Sequence, residues 1–368
     1  MNSQKTIRFD ALTGFRCLAA CLVFVYHNRK YWRDSLHPEI SRLFNEFHIG
    51  VSLFFVLSGF LIAYTYAAEP LQSLKAYIKY FSIRCMRILP VYWLILSAFY
   101  LDPGFGRMQF SWLTYSLVHG FSDVHNLDAI AQAWSLNIEM TFYLLAPLLC
   151  LLQQKHLVYL VAFLIALLLC TWAAGYWLER FNGNPNRWLY PLQFVLTGTF
   201  AGRCTEFLAG MLLARYIRNN QTKFLAHFRF KTVLGFAGIF VTAYCMGLFQ
   251  PDQFTPGAEK AGGMLLQYLA LPVFVVLALA GLMDERTIVQ KFFASKPMVL
   301  LGNASFVFYL VHISYVNLKL RQYFLLPDRN FIVLWLIAIA LYLLFEKPVY
   351  NGYRNWLKRK ENKATGYG

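Results

Sequence analysis

The stretch Phe9–Asn28 reads FDALTGFRCLAACLVFVYHN, and its interpretation decides the fold. A run of about twenty mostly apolar residues is enough to cross the hydrocarbon core of a bilayer as a helix. This one nevertheless holds an arginine, Arg16, and closes near a histidine, His27. At about 1.5 Å per residue the two are roughly 16.5 Å apart along the helix axis. Eleven steps of roughly 100° bring the chain back to within about 20° of its starting direction, so both side chains share one face. An ionisable residue inside a membrane is costly and is by default a functional-site hypothesis.

The rest of the chain has the same character. Of its 368 residues, 58% are hydrophobic and 14% are charged, against about a quarter charged in soluble domains. Apolar blocks close to a membrane thickness alternate with short charged loops. That is the pattern of an all-α, polytopic integral membrane protein. The net charge of +16 would suit a nucleic-acid binder, but basic residues of membrane proteins gather in cytoplasmic loops, and that accounts for it more simply. The seven cysteines form no CxxC pair and show no metal-ligand spacing; they read as small packing residues. Lys5 and Arg8 give the first segment a signal-peptide-like start. It lacks a clear cleavage site, and its central charge argues for a retained helix.

About ten spans are expected: Phe9–Asn28, His48–Ala67, Arg84–Leu101, Trp134–Gln153, Leu157–Leu178, Gly202–Ile217, Lys231–Phe249, Gly263–Met283, Met298–Leu318 and Phe331–Tyr350. Phe105–Gly120 reads as an interfacial or re-entrant piece. With the N-terminus inside, the inner segments hold about twenty-one Lys and Arg and the outer ones about eleven. Lys75/Lys79/Arg84/Arg87, Arg215/Arg218/Lys223/Arg229/Lys231 and Lys358/Arg359/Lys360 all fall inside. The expected location is the plasma (inner) membrane, with both termini cytoplasmic. Arg16 then lies in the inner half of the first helix and His27 near its outer end. Residues 1–351 read as one membrane domain, followed by a short basic tail, 352–368.

Several spans carry polar residues. Ser58 and Gly59 in the second allow another helix to approach closely. Arg84 and Arg87 share a face at the inner end of the third. They read as a positive-inside anchor or, more sharply, as a clamp for phosphate groups, which the planar arginine fork holds well. Pro90 marks a kink or the helix start. Glu139 sits in the apolar fourth span with Tyr143 four residues on, and needs a partner or a wet cavity. Arg203 and Glu206, at i and i+3, either neutralise each other or act in catalysis. Ser305, Tyr309 and His312 form a polar stripe that must face protein or water and is read as substrate-binding. Phe345-Glu346-Lys347-Pro348 reads as a helix end. His37, His48, His119, His125, His156 and His227 fall in loops or at span ends and are expected to be solvated. That leaves His27 and His312 for proton work at neutral pH.

These residues carry a family pattern. Arg16, ten residues and His27 resemble the R-X10-H motif of the acyltransferase-3 family of integral-membrane acyltransferases. Gly50-Val51, LFFVLSGFLI from Leu53, Arg84/Arg87 before Leu89-Pro90 and Tyr92-Trp93, Trp134-Ser135-Leu136 with Glu139 and Phe142-Tyr143, Glu206-Phe207 with Gly210, and Leu301-Gly302 with Ser305, Tyr309 and His312 follow in order. The resemblance implies about ten helices and acyl transfer, often of acetyl, from cytoplasmic acyl-CoA to a hydroxyl of a sugar, polysaccharide or glycolipid. It makes His27 the catalytic histidine and places Arg16 in the acyl-donor region. Ser52 and Met140 depart from positions that are acidic in many relatives. With no appended soluble segment, the chain resembles the stand-alone type.

The chemistry agrees. A thioester is already activated, so the enzyme needs a base for the acceptor hydroxyl and donors for the developing oxyanion. Neutral His27 serves as the base and Glu139 as its orienting carboxylate. Arg16, Arg84 and Arg87 bind the anionic donor from inside. Acyl-CoA is a donor substrate; no metal and no permanently bound cofactor is expected. Direct transfer is favoured, since no Ser or Cys sits in an evident nucleophile motif. The rival reading is a proton-coupled transporter or flippase of a glycan or lipid, whose relays use the same residue types.

Overall fold

The computed structural model describes residues 9–32, 35–66, 73–101, 111–219, 230–323 and 327–364. Lys5, Arg8, residues 105–110, Lys223, Arg229 and residues 365–368 lie outside the described residues. The described chain is a succession of helices with no β-strand. We number the principal ones α1 (Asp10–Asn28), α2 (Gly50–Tyr66), α3 (Leu74–Leu101), α4 (Trp134–Lys155), α5 (Leu157–Asn182), α6 (Phe200–Arg218), α7 (Lys231–Gly247), α8 (Ala261–Asp284), α9 (Lys296–Val311), α10 (Pro327–Leu341) and α11 (Lys347–Ala364). Seven helical stretches are long and apolar enough to cross a membrane, and α7 and α9 are shorter apolar helices. With α6 they account for the ten expected spans of an all-α polytopic membrane protein. Polar side chains within the spans turn back on the ladder, as a medium without water requires. Thr171 donates to the Leu167 carbonyl (2.7 Å) and Thr65 to that of Leu61 (2.7 Å).

The chain divides into two compact units. The first comprises Met1–Ala68 and Gly202–Tyr309. Here α1, α2, α6, α7 and α8 approach through small residues. Gly50 lies against the Ala19 carbonyl of α1. Gly59 of α2 meets the Phe207 carbonyl of α6, while Gly210 of α6 meets the Val56 carbonyl of α2; a Cβ at any of these glycines would collide with backbone. This reciprocal crossing gives the expected close approach at Gly59. The start of α7 is tied to the end of α8. Glu285 accepts from the Lys231 and Thr232 amides at 2.7 and 3.0 Å and from the Thr232 hydroxyl at 2.6 Å. It thus covers amide groups that the first turn of α7 cannot satisfy itself.

The second unit comprises Glu69–Ala201 and Leu310–Gly368. In it α3 packs against α4 and α11, and the loops at 118–128 and 184–190 are cross-linked. Leu189 donates its amide to Phe121 (2.9 Å) and Arg187 pairs with Asp123 (3.2 Å). Most of the apolar surface of α5 is uncovered by protein, as a lipid-facing helix requires.

Two expectations change, and one interruption is added. The third span does not begin at Arg84: α3 starts at Leu74, and Pro90 lies inside it. The last span does not end near Pro348. A π-turn, Tyr342–Glu346, carries the chain into α11, which runs to Ala364. A second π-turn, Leu266–Ala270, interrupts α8. In each case a proline stands two residues beyond the turn, Pro348 and Pro272. Its missing N–H removes one i→i−4 bond and the turn widens.

Candidate active site

In the first unit, Arg16 and His27 lie on the same uninterrupted helix α1 and are both half-buried. His27 Nδ1 is 2.9 Å from the Val23 carbonyl oxygen, one turn back. A carbonyl oxygen only accepts, so Nδ1 carries the proton and Nε2 of the neutral ring has the lone pair. This is the tautomer and the fixed orientation that a general base needs. The Tyr26 ring lies edge-on to His27, with centroids 4.9 Å apart.

The chain around this end of α1 is tightly bonded. The Arg29 guanidinium sits 4.1 Å above the Tyr26 ring; its Nε donates to Asn45 (2.6 Å) and one terminal nitrogen to the Phe254 carbonyl (3.0 Å). Glu46 is fully buried. It accepts from the Gln250 amide and the Gly257 N–H, both at 2.6 Å, and from His48 Nε2 at 3.3 Å. The His48 ring is 5.5 Å from that of Tyr26. His48 is therefore not merely solvated. A buried carboxylate backs its imidazole, and the two histidines flank one tyrosine.

Deeper in this unit, Arg203 and Glu206 of α6 form a buried bidentate pair, with Nε and one terminal nitrogen 2.6 and 2.7 Å from the two carboxylate oxygens. The same terminal nitrogen donates to Ser52 (3.1 Å), which also accepts from Gln267 (3.3 Å). Phe55 and Tyr268 present their rings to the guanidinium at 5.2 and 5.3 Å. The π-turn of α8 supplies Gln267 and Tyr268. Mutual neutralisation of Arg203 and Glu206 is thus what the fold builds. Ser305 is buried and donates to the Gly302 carbonyl of its own helix (2.8 Å). Tyr309 is buried against Phe54, with centroids 6.1 Å apart.

In the second unit, the Arg84 guanidinium lies 5.9 Å from the Tyr80 ring and 5.7 Å from the Tyr143 ring. The Tyr143 hydroxyl donates to Glu139, one turn back on α4 (2.5 Å). Arg87, one turn on from Arg84, also acts electrostatically on Tyr143. Two cations, a phenol and a carboxylate thus converge where α3 meets α4. Glu346 is buried in the π-turn that packs on α3. His312 is buried just beyond α9, and its carbonyl accepts from Asn317. The polar stripe of α9 therefore faces protein, as its sequence requires.

His119, expected to be solvated, is fully buried; Nδ1 faces the Leu113 carbonyl at 3.3 Å. Burial holds it below the usual histidine range. Sequence reasoning missed Ser52, Gln267 and Tyr268 around Arg203, and Glu46 behind His48. The only local hint was a carboxylate two residues before a histidine at a span boundary. Among the described residues, no three His, Cys, Asp or Glu side chains are grouped to hold a metal ion.

Residues 9–345 match the family model described as "Acyltransferase domain", and the chain belongs to that membrane acyltransferase family. It is similar to the peptidoglycan O-acetyltransferase OatA of Listeria monocytogenes, at 23% identity over 98% of this chain and 60% of the relative. It is also similar to the putative peptidoglycan O-acetyltransferase YrhL of Bacillus subtilis, at 24% identity over 99% and 59%. Acyltransferase MdmB of Streptomyces mycarofaciens is 26% identical over 84% and 79%. The chain thus spans about three-fifths of the length of the first two. No solved structure matches it.

Proposed function

We propose that this membrane acyltransferase moves an acyl group, most simply acetyl, from cytoplasmic acyl-CoA to a hydroxyl of a sugar, polysaccharide or glycolipid, with His27 as the base. The observation that carries the reading is the bond from His27 Nδ1 to the Val23 carbonyl, which leaves Nε2 as the proton acceptor. The glycan acceptor rests on the family and on the named peptidoglycan O-acetyltransferases among the relatives.

In this reading the acceptor hydroxyl gives its proton to Nε2 as its oxygen attacks the thioester carbonyl carbon. The C–S bond then breaks, the ester is released, and the coenzyme leaves as the thiol after recovering the proton from His27. Arg16 lies roughly 16.5 Å along α1 from the base, a reach suited to a pantetheine arm. Arg84 and Arg87 take the donor phosphates; Glu139, expected to orient the histidine, accepts instead from Tyr143, whose ring lies beside Arg84. Tyr309, Ser305 and His312 belong to the substrate-binding set. The excess of Lys and Arg in the inner segments supports cytoplasmic termini, and a plasma-membrane location goes with this reading.

The test uses purified protein in lipid nanodiscs, radiolabelled acetyl-CoA and a glycan acceptor. His27→Ala and His27→Asn are expected to lower turnover by about 10²–10⁴-fold while the fold is retained. Full activity in His27→Ala overturns the assignment.

A further inference from the structure

A second histidine stands beside His27, and packing uses only one of its nitrogens. His48 belongs to the short turn of helix Phe47–Ile49, which runs straight into α2. Two residues on, Gly50 presses against α1, where a Cβ would collide with the Ala19 carbonyl and a Val23 methyl. Val23 is the residue whose carbonyl orients His27. One close approach therefore fixes both imidazoles, and both meet the same phenol. The Tyr26 ring has His27 edge-on at 4.9 Å and His48 edge-on at 5.5 Å. His48 is near enough to act electrostatically on His27.

Each ring spends one nitrogen on the protein. His27 gives its Nδ1 hydrogen to the Val23 carbonyl, and His48 gives its Nε2 hydrogen to Glu46 (3.3 Å). That carboxylate is fixed. It is fully buried, and its other oxygen accepts from the Gln250 side chain and the Gly257 amide, both at 2.6 Å. An imidazole that donates through Nε2 keeps its lone pair on Nδ1. His48 Nδ1 bonds to nothing among the described residues, and the side chain is 18% exposed. Two lone pairs on neighbouring neutral rings set the kind of ligand. They accept and do not donate, so they disfavour phosphate and carboxylate oxygens and suit a molecule that brings two O–H donors. A pyranose is about as wide as the phenol ring that both imidazoles meet, and its hydroxyls project from its edge.

We propose that His48 binds the acceptor: its Nδ1 takes a hydrogen bond from a second hydroxyl of the sugar whose attacking hydroxyl gives its proton to His27. The inference rests on the reading of this protein as a transferase to a sugar hydroxyl. Glu46 is the positioning residue behind His48, fixing its tautomer and aim as carboxylates do for other working histidines. The two rings together choose which hydroxyl is acylated. The attacking oxygen is the one that reaches His27 while another hydroxyl of the same sugar reaches His48. A sugar lacking that second hydroxyl satisfies only one ring and binds more weakly.

The experiment uses the full-length protein in nanodiscs with labelled acetyl-CoA. The acceptors are the methyl glycosides of glucose, galactose and N-acetylglucosamine, with the monodeoxy analogues of whichever is acetylated fastest. His48→Gln and His48→Asn separate two roles. The glutamine amide overlays Nε2, so it keeps the bond to Glu46 and lacks an acceptor at Nδ1. The asparagine amide overlays Nδ1, so it keeps the acceptor and loses the bond. In the unaltered protein, one deoxygenation away from the attacked position is expected to raise KM by about five- to tenfold with kcat nearly unchanged. His48→Gln is expected to raise KM for the parent glycoside by the same factor and to ignore that deoxygenation. His48→Asn should still discriminate. An unchanged KM in His48→Gln overturns the proposal. So does a loss that His48→Asn shares in full, which would give the ring only the task of pinning its loop, or an unaltered protein indifferent to every such deoxygenation. If the unaltered protein acetylates none of the glycosides, the transferase reading falls and the proposal falls with it.

Discussion

Arg203 holds Glu206 by two nitrogens, each within 2.7 Å of a carboxylate oxygen, where neither side chain meets solvent. Two opposed charges taken out of water stay together because separation leaves one of them uncompensated. Glu206→Gln and Arg203→Met are each expected to destabilise the protein by about 3–5 kcal/mol. The double change Arg203→Met/Glu206→Leu should cost less than the sum. Thermal unfolding in detergent reads all three, and strictly additive losses would show that the pair is not a unit.

Arg84 and Arg87 are expected to act on the donor rather than on the fold. Charge-assisted hydrogen bonds to an anion are worth about 1.5–3 kcal/mol each. Arg84→Ala and Arg87→Ala should therefore raise KM for acyl-CoA by about 10–100-fold, with a smaller change in kcat. Arg84→Lys should recover only part of the loss, since a lysine cannot make a bidentate fork. Steady-state kinetics against donor concentration decide it; equal loss in kcat with unchanged KM would remove the arginine from donor binding.

His119 makes stability depend on pH. Burial holds it below the ordinary histidine range, so the unfolded chain binds a proton more readily than the folded one. The corresponding stability is complete above about pH 6.5 and is lost as pH falls through the window below it. The melting temperature should fall between about pH 7 and pH 5.5, and fall less steeply in His119→Gln. Identical slopes in both proteins would mean that the acid sensitivity comes from elsewhere.

Gly59 and Gly210 face each other's helix backbones. Gly59→Leu or Gly210→Leu must push α2 and α6 apart, and yields of monodisperse protein should collapse, as read by size-exclusion chromatography. Ser58→Ala, next to the crossing, should be tolerated.

Hydropathy identified the membrane core because apolar length is a local property. The common face of Arg16 and His27, the stripe of α9 and the spacing of Arg203 and Glu206 were legible for the same reason: each depends on one helix alone. The early start of α3 and the continuation of α11 beyond Tyr350 were not. A helix that leaves the membrane fills with Lys and Arg, and to hydropathy it is indistinguishable from a charged loop. Ser52 and Gln267 were hidden because nothing in sequence links α2, α6 and the π-turn of α8. His48 and His119 read as loop or span-end residues open to water, and nothing in the sequence singled out Glu46. His119 is instead fully buried and His48 is backed by the buried Glu46, and contacts such as Glu46 with Gly257 span too much chain to be seen locally.

The bond from His27 to the carbonyl one turn behind it has a final consequence. The imidazole takes its aim from α1 itself, and Arg16 stands on the same uninterrupted helix. The two are graduations on one rigid rod. Because α1 is uninterrupted, the spacing between Arg16 and His27 along it does not depend on how neighbouring helices pack. Under the reading proposed above, a donor that spans them would be measured against a fixed length, and selectivity for the acyl chain would follow from where its carbonyl falls on that scale.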